Sequence, residues 1–281
     1  MSTITQLFLY PVKSCAGIAL HDATLTAAGL SSAGIFDREW MVVDGDGLFL
    51  TQRHYPHMAT VKPQHTQHAL RLRAPGMADI DLPLARDEDG PTVSVKIWDD
   101  IVQATDCGDL AAAWFTTLLG RVSRLVRFHP QARRIASKQW TASMDAPTRF
   151  ADGFPILVIG EASLADLNDK LRSQGRATLP MNRFRPNIVI DGIGPFEEDY
   201  AASINIGRAQ LKPVKPCPRC PMPSVDQDSG IVGPDPLDIL QSYRANPLLD
   251  GAITFGMNAM VMEGDGQMLS VGQACEMNLA F

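Results

Sequence analysis

Residues 215–223 read Lys215-Pro216-Cys217-Pro218-Arg219-Cys220-Pro221-Met222-Pro223. Four prolines in the eight positions 216–223 fix φ and remove backbone donors, so no regular helix forms and the segment is extended and stiff. Two thiols sit in that rigid run, with Arg219 between them and Lys215 beside them. Positive charge favours the thiolate, the form that binds metals and attacks electrophiles. A proline-fixed thiolate holds a metal at one set distance. Three plainer readings stand beside this one. The pair is half of a structural zinc site, although closed zinc sites take four ligands and Cys15, Cys107 and Cys275 are scattered. It is a thioredoxin-like redox pair, although that chemistry wants a helix starting at the first cysteine, against Pro218, Pro221 and Pro223. Or both cysteines are buried and inert.

The whole chain narrows the setting. At 281 residues it is long enough for a large core and two closely joined lobes. It is 45% hydrophobic and 20% charged, ordinary values for a globular protein, and its net charge of −6 gives no support to nucleic-acid binding. Five cysteines without framework spacing fit a reducing compartment. No basic leader opens the chain and no apolar run approaches membrane-spanning length, so a cytoplasmic protein with no membrane partner is expected.

Upstream, short β-prone runs dominate. Strands are expected over 3–10, 23–27, 40–43, 48–51, 69–74, 93–98 and 101–105. Asp44-Gly45-Asp46-Gly47 forms the turn of a hairpin, because Asp-Gly supplies the positive φ such turns need. That pattern predicts an antiparallel sheet or partly closed barrel. Three loops carry chemistry as well as shape. Tyr10-Pro11-Val12-Lys13-Ser14-Cys15-Ala16-Gly17 puts a cation, a hydroxyl and a glycine in tight succession, suited to gripping a phosphate. Asp37-Arg38-Glu39-Trp40 sets an arginine at the head of a strand, and Thr51-Gln52-Arg53 closes the hairpin. A solvated salt bridge is the plain alternative for each arginine.

The second half mixes strands and helices. Leu110, Trp114 and Leu118 recur at i, i+4 and i+8, which predicts a helix over 106–120 stopped by Gly120. Residues 121–138 carry six cations and no acid. They read as a strand over 122–128 and a solvated loop, or as a docking surface for an acidic partner. Asp152-Gly153-Phe154-Pro155 leads into a strand over 156–159. Ser163 and Asp166 look like a cap for a helix over 164–172 with Leu164, Leu167 and Leu171 on one face. Asn182-Arg183-Phe184-Arg185-Pro186-Asn187 precedes a strand over 188–191. Asp235-Pro236 is expected to cap a helix through Tyr243, and strands over 259–263, 268–271 and 276–279 complete the sheet.

Together these pieces resemble the MOSC proteins (molybdenum cofactor sulfurase C-terminal domain), and within them the mitochondrial amidoxime-reducing component and its bacterial relatives. The resemblance spans nearly the whole chain. It rests on Tyr10-Pro11-Val12-Lys13-Ser14, Asp37-Arg38, Thr51-Gln52-Arg53, Asp106-Cys107-Gly108-Asp109, the stretch from Glu161 to Asn168, Phe184-Arg185-Pro186-Asn187, Cys217-Pro218-Arg219-Cys220, Val225-Asp226 and Phe255-Gly256, in the family's order. It implies an α+β, β-rich fold. An N-terminal antiparallel β-barrel-like lobe (1–118) packs on a MOSC β-barrel lobe (119–281) with peripheral helices.

The resemblance also implies a molybdenum–molybdopterin cofactor between the lobes. Cys220 is then the metal ligand and the catalytic residue. Lys13, Ser14 and Arg38 hold the pterin phosphate or ring. Arg185, Asn187, Cys217 and Pro218 contact the cofactor from the second lobe, as does the loop Asp152-Gly153-Phe154. Asn258 falls at a further contact position, where the animal proteins have an aromatic residue. A soft thiolate suits a metal already held by sulfur, and an anionic cofactor needs cations and loop donors. The implied activity is reduction of N-hydroxylated compounds (hydroxylamines, amidoximes, N-hydroxylated bases) to amines, with a cofactor or sulfur carrier as the alternative. A pyridoxal-phosphate protein is a remoter rival. Pro223 and Ser224 replace the family's Thr-Thr pair. Without a cluster-binding run of cysteines, electrons are expected from a separate ferredoxin- or flavin-type reductase. Asp226 is a candidate proton donor or a turn residue.

Overall fold

A computed structural model describes residues 1–85, 90–234 and 236–280. Asp235, the expected helix cap, lies outside the described residues. The first strand, Ser2–Leu9, buries Ile4, Leu7 and Leu9. The spacing of three between Ile4 and Leu7 breaks the period of two because a bulge lies between Ile4 and Gln6. One extra residue flips which face the later side chains take.

This strand belongs to a closed barrel of seven. Ile156–Gly160 pairs with Ile188–Asp191, and that strand pairs with Ser2–Leu9. The order continues through Ala274–Leu279, Ala201–Ile206, Ala209–Pro218 and Ala252–Glu263, which returns to Ile156–Gly160. The pairing of Ile156–Gly160 with Ile188–Asp191 is parallel and the others are antiparallel. A parallel pair needs a long crossover, and the helix Glu161–Ser173 supplies part of it. Closure removes the exposed edges an open sheet would have. The barrel and few peripheral helices agree with the β-rich α+β fold expected from the sequence.

Strands cross between the halves of the sequence in both directions. Ser2–Leu9 closes a barrel whose other strands all come from beyond residue 150. Arg124–Phe128 instead joins Trp40–Val43 and the hairpin Thr92–Ile97/Asp100–Asp106. Met268–Ser270 pairs with Asp22–Thr26. Lys62–His65, Ala69–Arg73 and Ile80–Pro83 make a further three-stranded sheet. One large apolar core runs through both halves, from Ile4 and Leu30 to Val158 and Leu211.

Two helix expectations need correction. The helix Asp109–Leu119 ends at a left-handed Gly120 as expected, but Leu110 is 84% exposed. Trp114 and Phe115 pack edge to face and both go inward. A face centred between them takes Ala111 and turns Leu110 outward. Ser163 does not cap its helix. Glu161–Ser173 starts earlier, and Ser163 Oγ donates to the buried Glu198 carboxylate at 2.8 Å. Leu164, Leu167 and Leu171 do form the buried face.

The barrel strands Ala201–Ile206 and Ala209–Pro218 were not foreseen. Their hydrophobic signal is thin, and three prolines interrupt the second. It stays paired with Ala252–Glu263 only through register shifts between Gln210 and Leu211, Pro213 and Lys215, and Pro216 and Pro218. Bulges accommodate residues that lack an N–H. The partner strand, Ala252–Glu263, is longer than expected and runs through Gly256, where φ is 76° and a Cβ would sit 2.8 Å from the Val158 carbonyl oxygen. Only glycine fits there.

Candidate functional site

The bulged end of Ala209–Pro218 turns the chain out of the barrel wall, and Cys217, Pro218 and Cys220 there line a cleft of about 140 Å³. The Arg219 N–H donates to Ile253 O at 2.8 Å, while its guanidinium donates to the carbonyls of Phe255 and Phe184. These bonds pin the loop to the barrel. Lys13, Ser14 and Arg38 come to the same cleft from the first half of the chain. Asp152, Gly153, Phe154, Arg185, Asn187 and Asn258 come from the second. The structure thus brings together all twelve residues that the resemblance assigns to the cofactor and metal.

The backbone is unusual at three of these positions. Ser14, Arg38 and Arg185 have φ of 65°, 47° and 56°, in the left-handed region that disfavours side chains. Such conformations cost on the order of 1–3 kcal/mol each and gather where a ligand is gripped. Here the surroundings enforce them. Tyr10 is buried between Arg38 and Arg185, each guanidinium 4.3 Å from its ring centroid. Arg38 pairs with Asp37 and donates to Asn187 Oδ1 at 3.2 Å. Asn187 Nδ2 donates to Asp37 Oδ1 at 3.1 Å and to Phe8 O at 3.3 Å, and its Oδ1 also accepts from Leu157 N. Its amide thus ties Arg38 and Asp37 to the barrel. Arg185 donates to Cys15 O at 2.7 Å and Gln227 Oε1 at 3.3 Å.

The lining is strongly cationic: Lys13, Arg38, Arg53, Arg183, Arg185 and Arg219 face one carboxylate, Asp152. Burial lowers the Lys13 pKa to about 8, although Asp152, 2.6 Å from its Nζ, pulls the other way. Lys13 and then Arg53 hold the carboxyl of the half-exposed Asp152 well below the usual range. Burial also lowers the Arg185 pKa. It pushes the Cys217 thiol up, with Arg219 opposing. The thiolate form of Cys217 is thereby disfavoured.

Sequence reasoning missed Arg53 and Thr51 as site residues, and Arg183 with them. Arg53 Nε donates to Cys220 Sγ at 3.0 Å. The Thr51-Gln52-Arg53 motif was the available signal, but nothing local said that it faces a cysteine far along the chain. Thr51 Oγ1 and Arg183 Nε are buried at the cleft without a hydrogen-bond partner, and buried polar atoms call for one.

Several expectations change. Lys215 is not at the cleft: its Nζ stacks 5.0 Å from the Trp140 ring centroid. Asp226 is a turn residue, with Oδ1 accepting from Asp228 N, Ser229 N and Ser229 Oγ, and Oδ2 paired with Arg183. The cations of 121–138 form no free patch. Arg121 pairs with Asp44, Arg124 with Asp106, Arg127 with Glu39, Arg134 with Asp100, and Arg133 and Lys138 with Asp145. All five cysteines are free thiols. No group of three or more His, Cys, Asp or Glu is placed to hold a metal among the described residues. Among the same residues no helix is long and apolar enough to cross a membrane.

Comparison with known proteins identifies the family. Residues 1–122 match the MOSC N-terminal beta barrel domain and residues 145–276 the MOSC domain. Mitochondrial amidoxime reducing component 2 of Bos taurus is 38% identical over 248 residues, 87% of this chain and 73% of that one. Mitochondrial amidoxime-reducing component 1 of Homo sapiens is 35% identical over 249 residues, 87% of this chain and 72% of that one. Among solved structures, the YUAD protein from Bacillus subtilis aligns over 96% of this chain and 92% of its own, with TM-score 0.39 and 10% identity. The chain belongs to the MOSC family, as a relative of the mitochondrial amidoxime-reducing components.

Proposed function

We propose that this protein is an oxidoreductase that reduces N-hydroxylated compounds to amines on a molybdenum–molybdopterin cofactor held in the cleft. The observation that carries the reading is convergence. The twelve residues that the resemblance assigns to the site, scattered from Lys13 to Asn258 and including Cys220, line one cationic cleft. The names of the relatives, amidoxime-reducing components, supply the reaction class.

The donor set fits an anionic, phosphate-bearing group that brings its own metal. The protein offers one suitable thiolate ligand, several fixed cations and two unpartnered polar atoms, and no protein-only metal centre is formed among the described residues. Lys13, Arg38 and Arg185 would hold the anionic end through charge-assisted hydrogen bonds. Tyr10 spaces the two arginines, and Asn187 orients Arg38. Ser14 and Asn258 add polar contacts, while Cys217, Pro218 and the loop Asp152-Gly153-Phe154 form the wall. That loop is held from behind by Arg134, which donates to the carbonyls of Arg149, Ala151 and Asp152. Cys220 would be the metal's protein ligand. When bound, the cofactor supplies two-electron redox chemistry. The reaction R–NH–OH + 2 e⁻ + 2 H⁺ → R–NH₂ + H₂O breaks the N–O bond and releases the oxygen as water. The electrons come from a separate ferredoxin- or flavin-type donor.

The test joins metal analysis with turnover. Purified protein should carry about one molybdenum and one pterin per chain and reduce an amidoxime with a chemical reductant. Cys220→Ala should lose the activity and the protein sulfur from the metal's X-ray absorption, whereas Cys217→Ala should keep that sulfur. Loaded protein that turns over no N-hydroxylated compound would instead be a carrier, and the proposal would fail.

A further inference from the structure

The cation that touches Cys220 comes from the other half of the chain. Arg53 Nε lies 3.0 Å from Cys220 Sγ, across 167 residues of sequence. The guanidinium is not free to wander. Its centre stacks 4.8 Å from the Trp98 ring centroid, and its Nη2 lies 3.8 Å from Asp152 Oδ2. Asp152 in turn accepts from Trp98 Nε1 at 3.2 Å and from Lys13 Nζ at 2.6 Å. Trp98 packs on Phe49, with ring centroids 4.9 Å apart. The turn carrying Arg53 is tied to the loop after Cys220 by Gln227 Nε2, which donates to the fully buried Gln52 Oε1 at 3.1 Å.

We propose that Arg53 is a positioning residue for Cys220: clamped by Trp98 and Asp152, it holds the sulfur in one orientation and sets a fixed positive charge against it. A guanidinium is always charged, and stacked on an aromatic face it is pre-organised. Hydrogen bonds to a ligating sulfur draw electron density from it, and such bonds tune the potential of sulfur-ligated metals. Arg53 therefore favours the reduced state of a metal bound to Cys220. That last consequence rests on the proposed function; the charge at Sγ does not.

Two measurements separate these layers. In cofactor-free full-length protein, the Cys220 peptide is followed by mass spectrometry during alkylation with anionic iodoacetate and with neutral iodoacetamide. The ratio of the two rates cancels the thiolate fraction and reports local charge. Arg53→Ala and Arg53→Gln should lower the iodoacetate-to-iodoacetamide ratio about five- to tenfold, a screened contact between opposite charges. Arg53→Lys should recover part of it. An unchanged ratio in Ala and Gln overturns the proposal even where wild-type protein binds molybdenum and turns over. In loaded protein, Arg53→Gln should shift the metal's midpoint potential to lower values with its metal content kept. An unshifted potential in a fully loaded variant overturns the tuning role. If wild-type protein takes up no molybdenum, the function reading fails while the alkylation ratio still decides the clamp.

Discussion

Two cation-rich regions of this molecule carry the same number of charges, one continuous in sequence and one assembled by the fold, and they hold those charges differently. The run 121–138 concentrates six cations without an acid, and every one of them meets a carboxylate from elsewhere in the chain. The cleft collects six cations from five separate segments; one carboxylate, Asp152, lines it with them, while Asp37 and Asp226 pair with Arg38 and Arg183 from outside the lining. Two of its arginines are held by backbone carbonyls with no carboxylate partner in contact among the described residues, Arg185 by Cys15 and Arg219 by Phe184 and Phe255, and Arg183 adds the carbonyls of Pro223 and Ser224 to its pair with Asp226. A carbonyl fixes a guanidinium without cancelling its charge. Charge density along a sequence is therefore a poor guide to where an anion binds; the nature of the partner decides.

The largest effect expected from this contrast lies in the run. Arg127 is buried, pairs with the fully buried Glu39 at 2.9 Å, and stacks 4.7 Å from the Trp40 ring centroid. Arg127→Ala strips a buried carboxylate of its cation and should cost about 3–5 kcal/mol of stability in urea melts. Pterin bound per folded chain should stay unchanged. A variant of normal stability with lost pterin would reverse the assignment of the two regions.

A smaller effect, with a pH signature, belongs to the cleft. The ordinary Lys13 value is 10.5 and burial lowers it to about 8 in the fold. Between those values the unfolded chain holds more protons than the folded one, so the stability of cofactor-free protein rises with pH from about 8 to 10.5. Against a Lys13→Met reference the gain should be on the order of 1–3 kcal/mol. Equal pH slopes in the two proteins would mean that Lys13 is not forced to carry its charge in a desolvated site.

The smallest effect is Arg133→Glu. Arg133 is 72% exposed beside a half-exposed Asp145, so reversal should change stability by less than about 1 kcal/mol. It should also leave turnover with a protein electron donor, and its salt dependence, unaltered. A large loss of partner-driven rate would restore the run as a docking surface. Arg134 cannot serve that test, because it is buried and supports the Asp152 loop.

The sequence by itself determined the local features. Proline spacing kept 215–218 extended and excluded an α-helix, although the run then turns into the 3-10 helix Met222–Ser224; Asp-Gly repeats made the turn at 44–47, and Leu164, Leu167 and Leu171 announced a buried helix face. The cleft residues were legible for the same reason: they sit in short loops whose cations, glycines and prolines are conspicuous, and whose order matches a family. Propensity and periodicity act over a few residues, and those signals needed no more. Tertiary structure alone decided the rest. It closed the barrel by bringing Ser2–Leu9 between strands from the far end of the chain. It turned Leu110 outward, moved Lys215 onto Trp140 and gave Asp226 to a turn. It also set Arg53 on Cys220. Strand partners and ion pairs depend on which surfaces meet after collapse. A contact across 167 residues leaves no trace in the propensity of either end.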